Sequence, residues 1–219
     1  MKKVHQFFIA LAMLAFSSTS YAEIKYGVSG ALTVIEASGT ETEGGEKNSD
    51  DVRNITVIPS LFAEYAFSDT ISVGLDYIPL TADVSDKTKK RTDTETSVTG
   101  TATTTSTSRS QSAQAELENH VTLYANYSFG NGSYLKTGVA NVTLNSDESL
   151  GTGSKYGNVD IMGLVLGFGV DSGNWRTEVT YTDYEDISLS SSVARTGVTT
   201  NNKIDADLDA LALRVSYAF

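Results

Sequence analysis

Leu211-Ala212-Leu213-Arg214-Val215-Ser216-Tyr217-Ala218-Phe219 closes the chain, and its alternation decides the fold. Leu211, Leu213, Val215, Tyr217 and Phe219 are apolar at every second position, whereas Ala212, Arg214, Ser216 and Ala218 are small or polar. A period of two describes a β-strand whose two faces meet different surroundings. Chain ends of soluble domains usually fray, so a strand that stops on an exposed aromatic calls for a neighbour on both sides. A closed barrel crossing a membrane supplies both neighbours and a water–hydrocarbon boundary for the ring of Phe219.

The N-terminal end fits export. Lys2 and Lys3 precede an unbroken apolar run from Phe7 to Phe16, and Ser20-Tyr21-Ala22 offers a small-x-small cleavage site before Glu23. The reading is a cleaved signal peptide over residues 1–22 and one domain over 23–219. As a membrane anchor the run is too short, since a spanning helix needs about 20 apolar residues. No cysteine stands near the cleavage site to carry a lipid, and with no cysteine anywhere neither a disulfide framework nor a thiolate metal site is expected. The net charge of −11 argues against nucleic acid as a partner. Mean hydropathy is −0.15, which suits a barrel in which only alternate residues face lipid.

Eight strand-like segments follow: Ile24–Ala37, Val52–Phe67, Ile71–Val84, Glu116–Phe129, Tyr134–Asn145, Asn158–Val170, Trp175–Leu189 and Ile204–Phe219. Three connections are tight and rich in Gly, Asn, Asp or Ser (68–70, 130–133 and 171–174), the residue types that favour tight turns. The other four, near 38–51, 85–115, 146–157 and 190–203, are long and polar and read as extracellular loops. Short turns at one end and long loops at the other give an all-β, eight-stranded antiparallel up-and-down transmembrane β-barrel with both termini periplasmic.

One face of each strand is an apolar stripe, as in Val121, Leu123, Ala125, Tyr127 and Phe129, or Met162, Leu164, Leu166, Phe168 and Val170. Aromatics gather beside the short turns as a girdle: Phe67, Tyr127, Phe129, Phe168, Trp175, Tyr217 and Phe219. The opposite face carries small residues and a balanced set of charges, Glu64, Asp76, Lys136, Arg176, Glu178 and Arg214. This set reads as a lumen charge network, because charges away from water persist only when paired. Gly169 and Gly167 are expected opposite Arg176 and Glu178, leaving room for those side chains. A soluble β-sandwich or lipocalin-like barrel is the competing fold, with the same alternation turned inside out.

The terminal alternation ending in Phe219 resembles the C-terminal signature of Gram-negative outer-membrane barrels. The resemblance implies that Val215, Tyr217 and Phe219 form an assembly signal read by the barrel assembly machinery. With its inward charges, the chain resembles the OmpA transmembrane domain and the OmpX-like small barrels over the whole mature length. Its place, by that resemblance, is the outer membrane of a Gram-negative bacterium.

No catalytic constellation emerges, and no cofactor or metal site is expected. His120, the single histidine after residue 22, is followed by Thr122, a faint likeness to the eight-stranded lipid A deacylases and their His-x-Ser. Here Thr122 replaces the serine, and the alternation turns both residues inward. Between Thr92 and Ser112, 14 of 21 positions are Ser or Thr, too little apolar surface for an independent fold but good strand formers for a long hairpin. The preceding Lys87-Thr88-Lys89-Lys90-Arg91 offers charge to lipopolysaccharide phosphates. The acidic first loop (Glu41, Glu43, Glu46, Asp50, Asp51) lacks the oxygen-ligand spacing of a calcium loop. Three functions stay open: a structural or surface-interaction barrel meeting cell-surface or phage partners through its loops, a porin-like passive channel for very small solutes, and, distantly, a lipid-modifying enzyme.

Overall fold

The alternating segments pair, each with its neighbour in sequence, and the last returns to the first. The computed structural model describes residues 23–43, 46–85, 88–99, 103–149, 155–192 and 201–219; residues 1–22, expected to be a signal peptide, and Lys87 lie outside them. Along the chain run β1 (Glu23–Glu43), β2 (Glu46–Ala66), β3 (Ile71–Ile78), β4 (Ala82–Asp83), β5 (Lys89–Thr99), β6 (Thr103–Ser128), β7 (Ser133–Ser149), β8 (Asn158–Ser172), β9 (Trp175–Tyr184), β10 (Ile187–Ser190) and β11 (Lys203–Ala218). β4 and β5 continue the third stave and β10 the seventh, so these strands build a closed barrel of eight antiparallel staves. β1 and β11 close it in continuous register from Gly27↔Ala218 to Thr42↔Lys203.

The tight turns bring β2 to β3, β6 to β7 and β8 to β9 at the end where both termini lie. In the last of these, Gly173 adopts φ 61°, a left-handed conformation that a residue without Cβ takes readily. At the other end two of the long connections, 38–51 and 85–115, prove to be largely strand among the described residues. The β1–β2 ladder continues to Glu43↔Glu46, and β5 pairs β6 from Lys89↔Ala113 to Thr99↔Thr103. The polar first connection reads as a loop in sequence and is strand here, whereas the Thr-rich stretch forms the long hairpin its composition favours. Outside hydrocarbon a ladder needs only its backbone bonds, and Thr-rich sequence supplies strand propensity.

The barrel carries two opposite patterns at two heights. In the short-turn half most outward positions are apolar, among them Leu166 at 54% exposure and Val179 at 47%, a band suited to cover by lipid. Aromatic rings edge this band, meeting as T-shaped pairs at Tyr127–Phe129, Trp175–Tyr217 and Tyr217–Phe219 with centroids 5.0–5.5 Å apart. Farther from the turns the outward residues become Glu36, Arg53, Asn141, Asp160, Asp183 and Asp209. At the same height the inward residues become Ile35, Val142, Ile161 and Leu208, each 3% exposed or less.

That reversal accompanies a split in the wall. β2 pairs β3 only from Leu61↔Tyr77 to Ala66↔Ser72, because Pro79, just past β3, has no N–H to give a ladder. β8 pairs β9 only up to Gly163↔Tyr184. Beyond these points one sheet is β10-β11-β1-β2 and the other runs from β4 and β5 through β6 and β7 to β8. The two sheets enclose an apolar cluster of Ile35, Leu208 and Ile187 against Val84, Leu117, Val142, Leu144 and Ile161. Side chains stitch the seams: Asn54 Nδ2 donates to the Asp83 carbonyl at 2.7 Å, and Tyr156 Oη to Glu41 Oε1 at 2.9 Å. The sandwich pattern that competed with the barrel is therefore present, stacked on top of it.

Candidate functional site

The lumen beside the apolar cluster is where buried chemistry concentrates. Inward parity on β2, β3, β7, β9 and β11 places Glu64, Asp76, Lys136, Arg176, Glu178 and Arg214 inside the barrel wall. They form two groups along its axis. Nearer the short turns, Arg176 donates Nη1 to Glu64 Oε2 and Nε to Asp171 Oδ1, each at 2.7 Å. Deeper in, Lys136 Nζ meets Glu178 Oε1 at 2.6 Å, and Arg214 lies 3.5 Å from the same oxygen. Arg214 Nη1 also bonds Asp76, whose Oδ2 accepts from Ser60 Oγ at 2.9 Å.

Phenols join the groups. Tyr134 Oη donates to Glu178 Oε2 at 2.7 Å, while its ring lies 4.8 Å from the Arg176 guanidinium carbon. Tyr124 Oη donates to Glu64 Oε2 at 3.2 Å, and Lys136 Nζ sits 4.2 Å over its ring. Each acid thus accepts from several donors, the condition under which charges survive burial.

Each of these rings lies over a glycine on a neighbouring strand. Tyr134 is directly opposite Gly169, where an added Cβ would come within 2.3 Å of the ring. Tyr124 lies between Gly74 and Gly138, and Tyr184 faces Gly163. The register corrects one expectation from the sequence. Glu178 lies opposite Gly169, but Gly167 faces Thr180 and Arg176 faces Asp171. The turn uses only Gly173 and Asn174, tighter than the sequence suggested, and this gives Arg176 its second carboxylate.

Sequence reasoning missed Tyr124, Tyr134, Asp171 and the apolar half of the lumen. Tyr134 shares the parity of Lys136, and that parity continues through Ala140 to Val142 and Leu144, so the signal was present on β7. His120 lies inward where the charged and apolar halves meet, at a register break in the β6–β7 ladder. Its Nε2 is 3.1 Å from Tyr184 Oη, and Thr122 beside it is buried. Val215 and Phe219 face outward, and the Phe219 N–H donates to the Tyr26 carbonyl at 2.9 Å.

A cavity of about 260 Å³ opens at the short-turn end, lined by Lys25, Asp69, Asn126, Asp171 and the Arg176–Glu64 bridge at its floor. Beyond the bridge the lumen holds the second charged group and then the apolar cluster. Among the described residues no group of three or more His, Cys, Asp or Glu is disposed to hold a metal ion.

A closed barrel with an apolar outside, a charged inside and long strands at one end defines the class: the chain folds as a small eight-stranded outer-membrane β-barrel. It is similar to the outer membrane protein AlkL, determined by solid-state NMR in DMPC bilayers, at 15% identity and a TM-score of 0.51 over 93% of each chain. It is also similar to the outer membrane protein OprG from Pseudomonas aeruginosa (15% identity, TM-score 0.49, 89% of this chain and 96% of that one). A third likeness is to Neisserial surface protein A (11%, 0.43, 91% and 100%). No protein-family model and no curated protein matches the sequence.

Proposed function

We propose that this protein is a closed outer-membrane barrel that holds a β-platform outside the cell, with its termini in the periplasm. The observation that carries the reading is the reversal of pattern along the staves. A lumen built to pass ions or polar solutes has no use for an apolar core beyond the lipid band, whereas a platform standing in water needs one. β6 runs for 26 residues, about two and a half times the roughly 9–11 tilted residues with which a strand crosses a bilayer. Val215, Tyr217 and Phe219 serve as the assembly signal. Lipopolysaccharide surrounds the upper wall, and the platform meets the surfaces of cells or phage. The charge network is a structural plug, and the chain is not an enzyme.

The test is trypsin applied to intact cells, followed by mass spectrometry of the membrane. Cleavage at Lys89, Lys90 or Arg91 with the rest of the barrel protected supports display; resistance at those sites until the cells are opened contradicts it.

A second reading, a passive channel for very small solutes, draws on the cavity that already reaches the Arg176–Glu64 bridge from one end. In that reading the bridge and the group behind it are a gate. It requires the apolar cluster to part as well, which makes it the weaker of the two.

A further inference from the structure

The hairpin of β5 and β6 is the farthest-reaching part of the platform, and it has an unclaimed edge. β5 is bonded along one side to β6, and among the described residues no strand pairs with its other side. Among the described residues β6 meets β7 only from Ser112↔Ser149 toward the membrane, so above that point they form a two-stranded ribbon. A row of open N–H and C=O groups of this length is a template for another strand.

The sequence along that edge specifies which strand. At alternate positions β5 reads Lys89, Arg91, Asp93, Glu95, two bases and then two acids, and between them stand Lys90, Thr92 and Thr94. Such a block pattern complements itself when reversed. Placed antiparallel about a two-fold axis at Thr92, Lys89 of one copy stands opposite Glu95 of the other and Arg91 opposite Asp93. Symmetry doubles both pairs. Lys90 then stands opposite Thr94, Thr92 opposite itself, and no like charges oppose. Moving the axis by one residue sets Arg91 against Arg91 or Asp93 against Asp93, and directly opposed like charges destabilise a strand pair.

The same pattern excludes the side-by-side arrangement. Two copies in one membrane send β5 away from the bilayer in the same direction, so their edges pair in parallel. In register, every charge would then face its own kind. A four-residue stagger would match the blocks but shift one barrel about 13 Å along the strand relative to the other, out of a shared bilayer plane. The antiparallel pair instead puts the two barrels at opposite ends. Ser110, the partner of Thr92 on β6, lies eleven residues outward of Val121, about 36 Å along the strand and clear of the apolar band.

We infer that the β5 edge, Lys89–Glu95, pairs antiparallel with the same edge of a second copy standing in an apposed membrane, a homotypic contact between two surfaces. The inference rests on the display reading above.

The experiment uses the folded protein in two populations of phosphatidylcholine vesicles carrying donor and acceptor lipids, with tethering read as energy transfer. The wild type should tether the vesicles. Lys89→Glu with Arg91→Glu should slow tethering at least tenfold, and adding Asp93→Lys with Glu95→Arg in the same chain should restore it, since the reversed blocks again complement themselves. Because the chain has no cysteine, Thr92→Cys supplies a single thiol. Oxidation should link copies when vesicles meet and not in dilute, separated ones. Unchanged heat-modifiable gel migration shows that each variant still folds. Tethering that ignores both charge exchanges, failure of the fourfold variant to restore it, or linkage within separated vesicles overturns the inference. So does absence of tethering by the wild type. Trypsin decides how far that failure reaches: cleavage at Lys89–Arg91 from outside leaves display standing, and resistance removes both.

Discussion

Lys136 and Glu178 meet at 2.6 Å inside the barrel, with 6% and 1% of their side chains exposed. One comes from β7 and the other from β9, and β8 between them contributes Gly167 and Gly169 at this level. The pair therefore spans a gap that the glycines create. Replacing Glu178 by Ala leaves Lys136 buried without its carboxylate and removes the acceptor of Tyr134. A loss of about 3–5 kcal/mol is expected, as for other buried pairs broken on one side. Urea unfolding in detergent measures it. The matched double change Lys136→Met with Glu178→Leu should recover most of the loss, which separates an ion pair from a cavity effect.

Gly169 provides a steric test of the same region. Its backbone passes beneath the Tyr134 ring, and an added methyl would lie 2.3 Å from that ring. Gly169→Ala should cost about 1–3 kcal/mol by overpacking. Gly30, where an added Cβ meets nothing within 4 Å, is the control: Gly30→Ala should be nearly neutral or stabilising.

The lipid band predicts a dependence on height. Leu166 and Val179 face outward on β8 and β9, and arginine at either should cost about 2–4 kcal/mol if placed near the bilayer midplane. Asn141 also faces outward but above the band, so Asn141→Arg should change the unfolding midpoint little. Equal effects at the three sites would mean that the band is misplaced.

Phe219 should matter twice. Its N–H holds Tyr26 across the closing seam, and its ring lies 5.4 Å from Tyr217 in the aromatic edge. Deleting it should lower assembled, heat-modifiable protein in the membrane. Retaining the residue as Phe219→Ala, which keeps the backbone bond and loses the ring, should give an intermediate yield.

The alternation in β6, β8 and β11 made their outward faces legible, because a strand that separates two surroundings must write both into its sequence. Inward parity likewise identified the charges of the lumen. Their partners were not legible. Which acid meets which base depends on the stagger between staves and on a two-residue turn at Gly173 and Asn174, and neither leaves a local sequence signal. The Thr-rich hairpin was legible through strand propensity, but its register and the strand continuation of the first connection were not. β5 and the outer part of β6 are polar at consecutive positions, so their sequence carries no alternation of polarity. The apolar half of the lumen was visible in Val142, Leu144, Ile161 and Leu208. It was obscured because the same strands reverse their facing pattern at Asn141, Asp160 and Asp209, and a reversal within one strand reads as irregularity.

The central claim, that the barrel is a closed support for a platform and not a pore, is tested most directly by single-channel recording in planar bilayers. The wild-type protein, inserted and verified as folded, should show no ion-conducting steps, because the Arg176–Glu64 bridge, the Lys136–Glu178–Arg214–Asp76 group and the apolar cluster close the lumen in series. Steady, reproducible conductance of the wild type, abolished neither by refolding nor by purification, would contradict the account and favour the channel.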